Sequence, residues 1–122
     1  MSDATTPVAA HKAAIRAFAD ARGWEPYHSP KNLVMALASE VGELCEVFRW
    51  LTPDESRQVA ADPALRAAVA DELADVANIV FLLSDHTGID LSDAVRAKMA
   101  KNAIKYPAPA GPASGGPAGP GS

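Results

Sequence analysis

The stretch LVMALASEVGELCEVFRWL, residues 33–51, decides the fold. Taken at 100° per residue, Leu33, Leu37, Leu44, Val47 with Phe48, and Leu51 fall on one stripe, a spacing that belongs to an amphipathic α-helix. Position 40 lies inside that stripe, and it is Glu. A second segment repeats the pattern: Leu65, Val69, Val76, Ile79 with Val80, and Leu83 form a stripe in which position 72 is again Glu. One constant offset carries Glu40 onto Glu72 and Glu43 onto Asp75. Each helix therefore puts an acid into its apolar stripe and a second acid three residues on.

Working outward, Thr6-Pro7 reads as a cap followed by proline at the first helical position, and the alanine-rich segment after it runs to Gly23, giving a helix over about 7–22. The link GWEPYHSP follows, and Ser29-Pro30 repeats the cap signal for a helix over about 30–51. Thr52 with Glu55 forms a capping box for a short helix over about 53–61. Asp62-Pro63 opens the next helix, which stops at Gly88, and Asp90 opens a last one ending near Tyr106, before Pro107. Four substantial helices with short connections predict an all-α protein, a four-helix bundle over residues 7–106. Residues 1–6 and the Gly/Pro/Ala-rich segment 107–122 are expected to be disordered.

A chain of 122 residues with such a tail has room for one small core, which favours assembly into an oligomer. The formal charge of −4 and singly scattered basic residues argue against a nucleic-acid polymer as partner. One cysteine, Cys45, allows no internal disulfide and suits the cytoplasm. No basic, apolar leader opens the sequence and no apolar run could span a bilayer, so neither secretion nor membrane insertion is expected.

Residues three apart on a helix are surface neighbours, so Glu40/Glu43 and Glu72/Asp75 each form a two-carboxylate claw. If the stripes pack together, the four carboxylates converge, and anions in a partly buried place require a cation. A lone acid in an apolar stripe is commonly the partner of a buried arginine. Here the two helices supply only Arg49 and Arg66 as internal basic partners, both away from the claws, so a hard metal ion, Mg²⁺ or Mn²⁺, is the expected partner. Glu46 extends the acidic edge, as a water-orienting group or simply a solvated one. In the last helix Lys98, Asn102 and Tyr106 are spaced by four, an ammonium, an amide and a phenol suited to a triphosphate and its sugar, or else an ordinary polar helix end. Trp24, His28 and Trp50 flank the second helix and could stack a base or serve as core and rim aromatics. With no glycine-rich phosphate loop and no nucleophilic triad, these groups suggest metal-assisted phosphoryl chemistry on a small anion.

The segments SPKNLVMALASEVGELCEVFRW, VADELADVANIVFLL and GIDLSDAVRAKMAKNAIKYP, in this order and spacing, resemble the MazG-like all-α nucleoside triphosphate pyrophosphohydrolases, in particular the branch that contains dCTP pyrophosphatase. The resemblance covers about residues 8–107. It implies a helical bundle assembled as a dimer or tetramer, with Mg²⁺ held by Glu40, Glu43, Glu72 and Asp75. It further implies hydrolysis of a (deoxy)nucleoside triphosphate, dCTP or a modified form, to the monophosphate and pyrophosphate in nucleotide-pool sanitation. Glu43 or Glu46 would act on the attacking water. Lys98, Asn102 and Tyr106 match positions near the phosphates or sugar, Trp24 and Trp50 match aromatics near the base, and His28 sits in a similar polar-aromatic link, where the resemblance implies a part in substrate binding. Two positions depart from the pattern: Ser39 stands where the wider family doubles its first acid, and Ile15 where the branch carries a base-proximal histidine. The alternatives are a dUTP- or histidine-pathway-type pyrophosphohydrolase and a non-enzymatic helical oligomerisation or metal-binding module.

Overall fold

The computed structural model describes residues 1–110. Among them no strand is present. Five helices follow in order: α1 (Val8–Ala21), α2 (Pro30–Phe48), α3 (Pro53–Ser56), α4 (Pro63–Thr87) and α5 (Leu91–Lys105), with 3₁₀ turns at Glu25–Tyr27 and Val59–Ala61. They divide into two compact units, one ending at Ile89 and one beginning at Asp90. No described helix is long and apolar enough to cross a membrane.

Local sequence accounts for most helix boundaries. Ser29 accepts a hydrogen bond from the Asn32 N–H at the start of α2, Asp62 accepts from Ala64 and Leu65 at the start of α4, and Asp90 accepts from Asp93 at the start of α5. The first expected cap is different. Pro7 itself occupies the cap position of α1 without a side-chain bond, and the Thr6 hydroxyl accepts from the Ser2 N–H instead. That bond, with the Thr5 and Thr6 N–H groups donating to the Ser2 carbonyl, draws residues 1–6 into a turn where disorder was expected. Of the segment 107–122, residues 107–110 carry no regular structure, and the rest lies outside the described residues.

Two further expectations are corrected. Helix α2 ends at Phe48 rather than 51, because Thr52 must stand extended before Pro53 (ψ 161°) and its N–H is taken by the Glu55 carboxylate of the capping box at 2.8 Å. The helix over 53–61 breaks after Ser56: the Ser56 hydroxyl donates to the Pro53 carbonyl at 2.6 Å, and Asp62 before Pro63 is also extended. Only a 3₁₀ turn forms between these points.

In the first unit α4 is the central helix, packing against both α1 and α2. Ala19, Leu33 and Leu82, one from each of these helices, are the buried apolar residues among those described. Many apolar side chains stay outside, among them Val34, Met35 and Val41 on α2 and Leu73 on α4, the last 52 % exposed. Arg16 on α1 forms an ion pair with Asp85 on α4 through both its Nε and Nη2 atoms, and Lys12 Nζ donates to the Ile89 carbonyl at 3.1 Å. These contacts fix α1 along α4. The second unit is α5 itself, with Lys105 over the Tyr106 ring at 5.3 Å.

Candidate functional site

Helix α1 closes with a Schellman motif. Gly23 takes the left-handed conformation (φ 65°) that an L side chain avoids, its N–H donates to Asp20, and the Trp24 N–H reaches back to Ala19 at 3.1 Å. The turn sets the Trp24 ring edge-on to Phe18 at 5.7 Å and to His28 at 6.2 Å. Pro26 sits within the following 3₁₀ turn, and the Asn32 side chain ties α2 to the Tyr27 carbonyl at 2.9 Å. The sequence thus builds an aromatic wall beside the α1–α2 junction.

This wall borders a cavity of about 650 Å³ between α1, α2 and α4. At one end stand the acids. One carboxylate oxygen from each of Glu40, Glu43, Glu72 and Asp75 lies within 4.8 Å of the others, so the two claws converge as their spacing predicts. Glu40 and Glu72 are half-buried, and each has a buried oxygen, Oε2, with no hydrogen-bond partner. Burial is the main reason that the Glu40 carboxyl is held above the ordinary glutamate range. The close approach of the Glu43 carboxylate and the charges of Glu43, Asp75 and Glu72 push the same way. Glu72 is raised too, again by burial first and then by Glu43, Asp75 and Asp71. The ion pairs among the described residues go elsewhere: Arg16 to Asp85, Arg49 to Glu46 and Arg57 to Asp54. Four oxygen donors, two of them unsatisfied and none of them neutralised, fit a hard divalent cation.

The remaining expected residues fall in three places. Trp24 and His28 line the cavity that also contains Glu40 and Asp75. His28 has a buried Nδ1 with no hydrogen-bond partner. Glu46 is outside the four-acid cluster, is 62 % exposed and holds Arg49 at 2.8 Å, and Trp50 projects at the far end of α2, 74 % exposed under the same guanidinium. Neither lines the cavity. Lys98, Asn102 and Tyr106 belong to the second unit, where their spacing by four sets them on one face of α5. Asn102 is the half-buried member.

The cavity also has walls that the pattern of stripes did not single out. His11, Ile15 and Phe18 form the α1 side, spaced by four and three, and His11 stacks flat on Phe81 at 5.1 Å. Asn78 lines it from α4. The spacing of the α1 residues was a visible signal, since it is the helix's own apolar stripe. Asn78 lies about 150° around α4 from the centre of its stripe, so periodicity gave no reason to choose it.

Residues 35–113 match the model of the MazG-like family. The chain is similar to dCTP pyrophosphatase 1 of Homo sapiens, at 44 % identity over 91 residues, which are 75 % of this chain and 54 % of that protein. It is similar to dCTP pyrophosphatase 1 of Bos taurus at 42 % over 90 residues, 74 % of this chain and 53 % of the relative. The chain thus spans about half the length of these curated relatives. Among solved structures, a pyrophosphatase from Archaeoglobus fulgidus superposes with a TM-score of 0.71 at 41 % identity, covering 77 % of this chain and 86 % of that one. On the family match and on the all-helical architecture it shares with that structure, the chain belongs to the MazG-like family.

Proposed function

We propose that this protein is a Mg²⁺-dependent pyrophosphohydrolase that converts a (deoxy)nucleoside triphosphate, dCTP or a modified dCTP first among them, to the monophosphate and pyrophosphate. The observation that carries the reading is the meeting of four un-neutralised carboxylates with an aromatic-walled cavity of a size that suits a nucleoside. Glu40, Glu43, Glu72 and Asp75 would hold Mg²⁺, with Mn²⁺ as a substitute of similar hardness. When bound, such an ion polarises phosphoryl oxygens and lowers the pKa of water. Glu40 and Glu72 have the buried, unpartnered oxygens and are assigned to holding the ion. Glu43 is exposed within the cluster and is assigned to orienting or deprotonating the attacking water. Glu46 is given no such part, because Arg49 already occupies its carboxylate.

Trp24, with Phe18 at its edge, offers a face for a base, and the relatives' dCTP pyrophosphatase names support cytosine as the first base to try. Lys98, Asn102 and Tyr106 are proposed to bind phosphates or sugar, and Trp50 to contact a base. The exposed Val34, Met35, Val41 and Leu73 support a homo-oligomer, dimer or tetramer, that covers the outer faces of α2 and α4. The lone cysteine supports the cytoplasm as its place of action, in nucleotide-pool sanitation.

The experiment is a panel of single dNTPs and NTPs with Mg²⁺ or Mn²⁺, with chromatographic analysis of products. Release of a monophosphate and pyrophosphate, best with dCTP or a modified dCTP, is expected. A folded protein that turns over none of them would sink the proposal, and preference for dUTP would move it to another branch of the same chemistry.

A further inference from the structure

The cavity is layered along α4, and the layers have different chemistry. From the acids, α2 is followed backward (Glu40, Ala36, Leu33) and α4 forward (Asp75, Asn78, Leu82) into the same cavity, so the two helices run antiparallel beside it. At 1.5 Å per residue Asn78 lies about 4.5 Å beyond Asp75 and Leu82 about 10.5 Å beyond it. Farthest along α4 from the acids, the lining holds Leu33, Leu82 and Trp24, with His28 and Asn32 beside them. Between these and the acids are small or apolar walls, Ala36 and Ile79, and one polar side chain on α4, the Asn78 amide.

A nucleotide has the same order: phosphate, sugar, base. With the phosphates at the acids and the base on the aromatic wall, the sugar falls at the level of Asn78. Asn78 enters none of the side-chain hydrogen bonds among the described residues, whereas the amide nitrogen of Asn32, the other asparagine on the wall, is committed to Tyr27. A half-buried amide with no side-chain hydrogen bond inside the protein, set beside Ala36 and Ile79, suits one hydroxyl, which both donates and accepts. We infer that Asn78 is a specificity-determining residue that binds the 3′-hydroxyl of the substrate's sugar. This rests on the nucleotide-binding reading of the cavity, but not on hydrolysis.

The test compares dCMP with its 3′-deoxy analogue by calorimetry, and dCTP with 3′-deoxy dCTP by turnover with Mg²⁺, in the wild-type protein and in Asn78→Ala. Wild-type protein is expected to favour the 3′-hydroxyl form by about tenfold, and the variant to lose that preference by weakening only the hydroxyl-bearing ligand. Equal handling of both ligands by the wild-type protein overturns the inference, whether or not the variant folds. So does a variant that weakens both ligands equally or keeps the full preference. Binding with the tenfold preference but no turnover upholds the role of Asn78 and sinks the hydrolase reading. Turnover without the preference does the reverse, and absence of all nucleotide binding overturns both.

Discussion

Helix α4 carries acids at two levels, and the protein treats them in opposite ways. Asp85, near its C-terminal end, receives the Arg16 guanidinium through two contacts, and its carboxyl is held below the usual aspartate range chiefly by that hydrogen bond. Glu72 and Asp75, three turns earlier, receive only other carboxylates, and burial together with those neighbours holds Glu72 high. One region has its cation built into the chain. The other has everything except the cation. An acid near an apolar surface is ordinarily answered by an internal base, as Asp85 is, so the absence of one at the claws among the described residues points to an ion supplied from outside.

The contrast can be broken most forcefully at the claw. Glu72→Gln is expected to reduce nucleotide turnover by about 100-fold or more, since even groups that only orient metal ligands are worth 10–100-fold. The same substitution should leave the metal-free melting temperature unchanged or raise it, because it removes one charge from a like-charged group. A loss of folding in step with activity would make the claw structural instead. Next in size is the effect of the ion. Mg²⁺ at about a hundred times its Kd should stabilise the wild-type protein by about 2.7 kcal/mol, seen as a melting temperature raised by about ten degrees, and should do far less for Glu72→Gln.

Asp85→Asn should behave in the opposite sense to Glu72→Gln. It lowers the melting temperature by a few degrees at most, because Arg16 is half exposed and solvent screens the pair, while turnover stays within about tenfold of wild type. The smallest effect is on pH dependence, and its sign differs between the two regions. Glu40 and Glu72 have folded pKa values above the unfolded value of 4.5, so the stability tied to them is present below that value and is lost as pH rises through their folded pKa. Asp85 is lowered from 3.8, so its contribution is present above that value and is lost as pH falls through its folded pKa. The melting temperature of metal-free protein should therefore fall as pH rises from 4.5 in wild type and fall less in Glu72→Gln. It should lose part of its acid-side fall in Asp85→Asn.

The helices and the claws were legible because both are local periodicities. Glu40, Glu43, Glu72 and Asp75 declare themselves by interrupting stripes that period 3.6 would otherwise complete, and caps such as Ser29, Asp62 and Asp90 are read from a few neighbouring residues. The end of α2 was harder, since Leu51 continues the stripe while the competing bond from Thr52 to Glu55 ends the helix. The Arg16–Asp85 pair was not legible at all: its partners are 69 residues apart, and nothing local matches them. Asn78 was missed for a related reason. A polar residue on the far side of a helix from its apolar stripe looks solvent-facing until it is found to line a cavity with α1.

The account stands or falls on where a triphosphate is cut. With dCTP and Mg²⁺ the wild-type protein should yield dCMP and pyrophosphate in equal amounts, and Glu72→Gln should yield almost none. Orthophosphate with dCDP, or no product from folded wild-type protein, would contradict it.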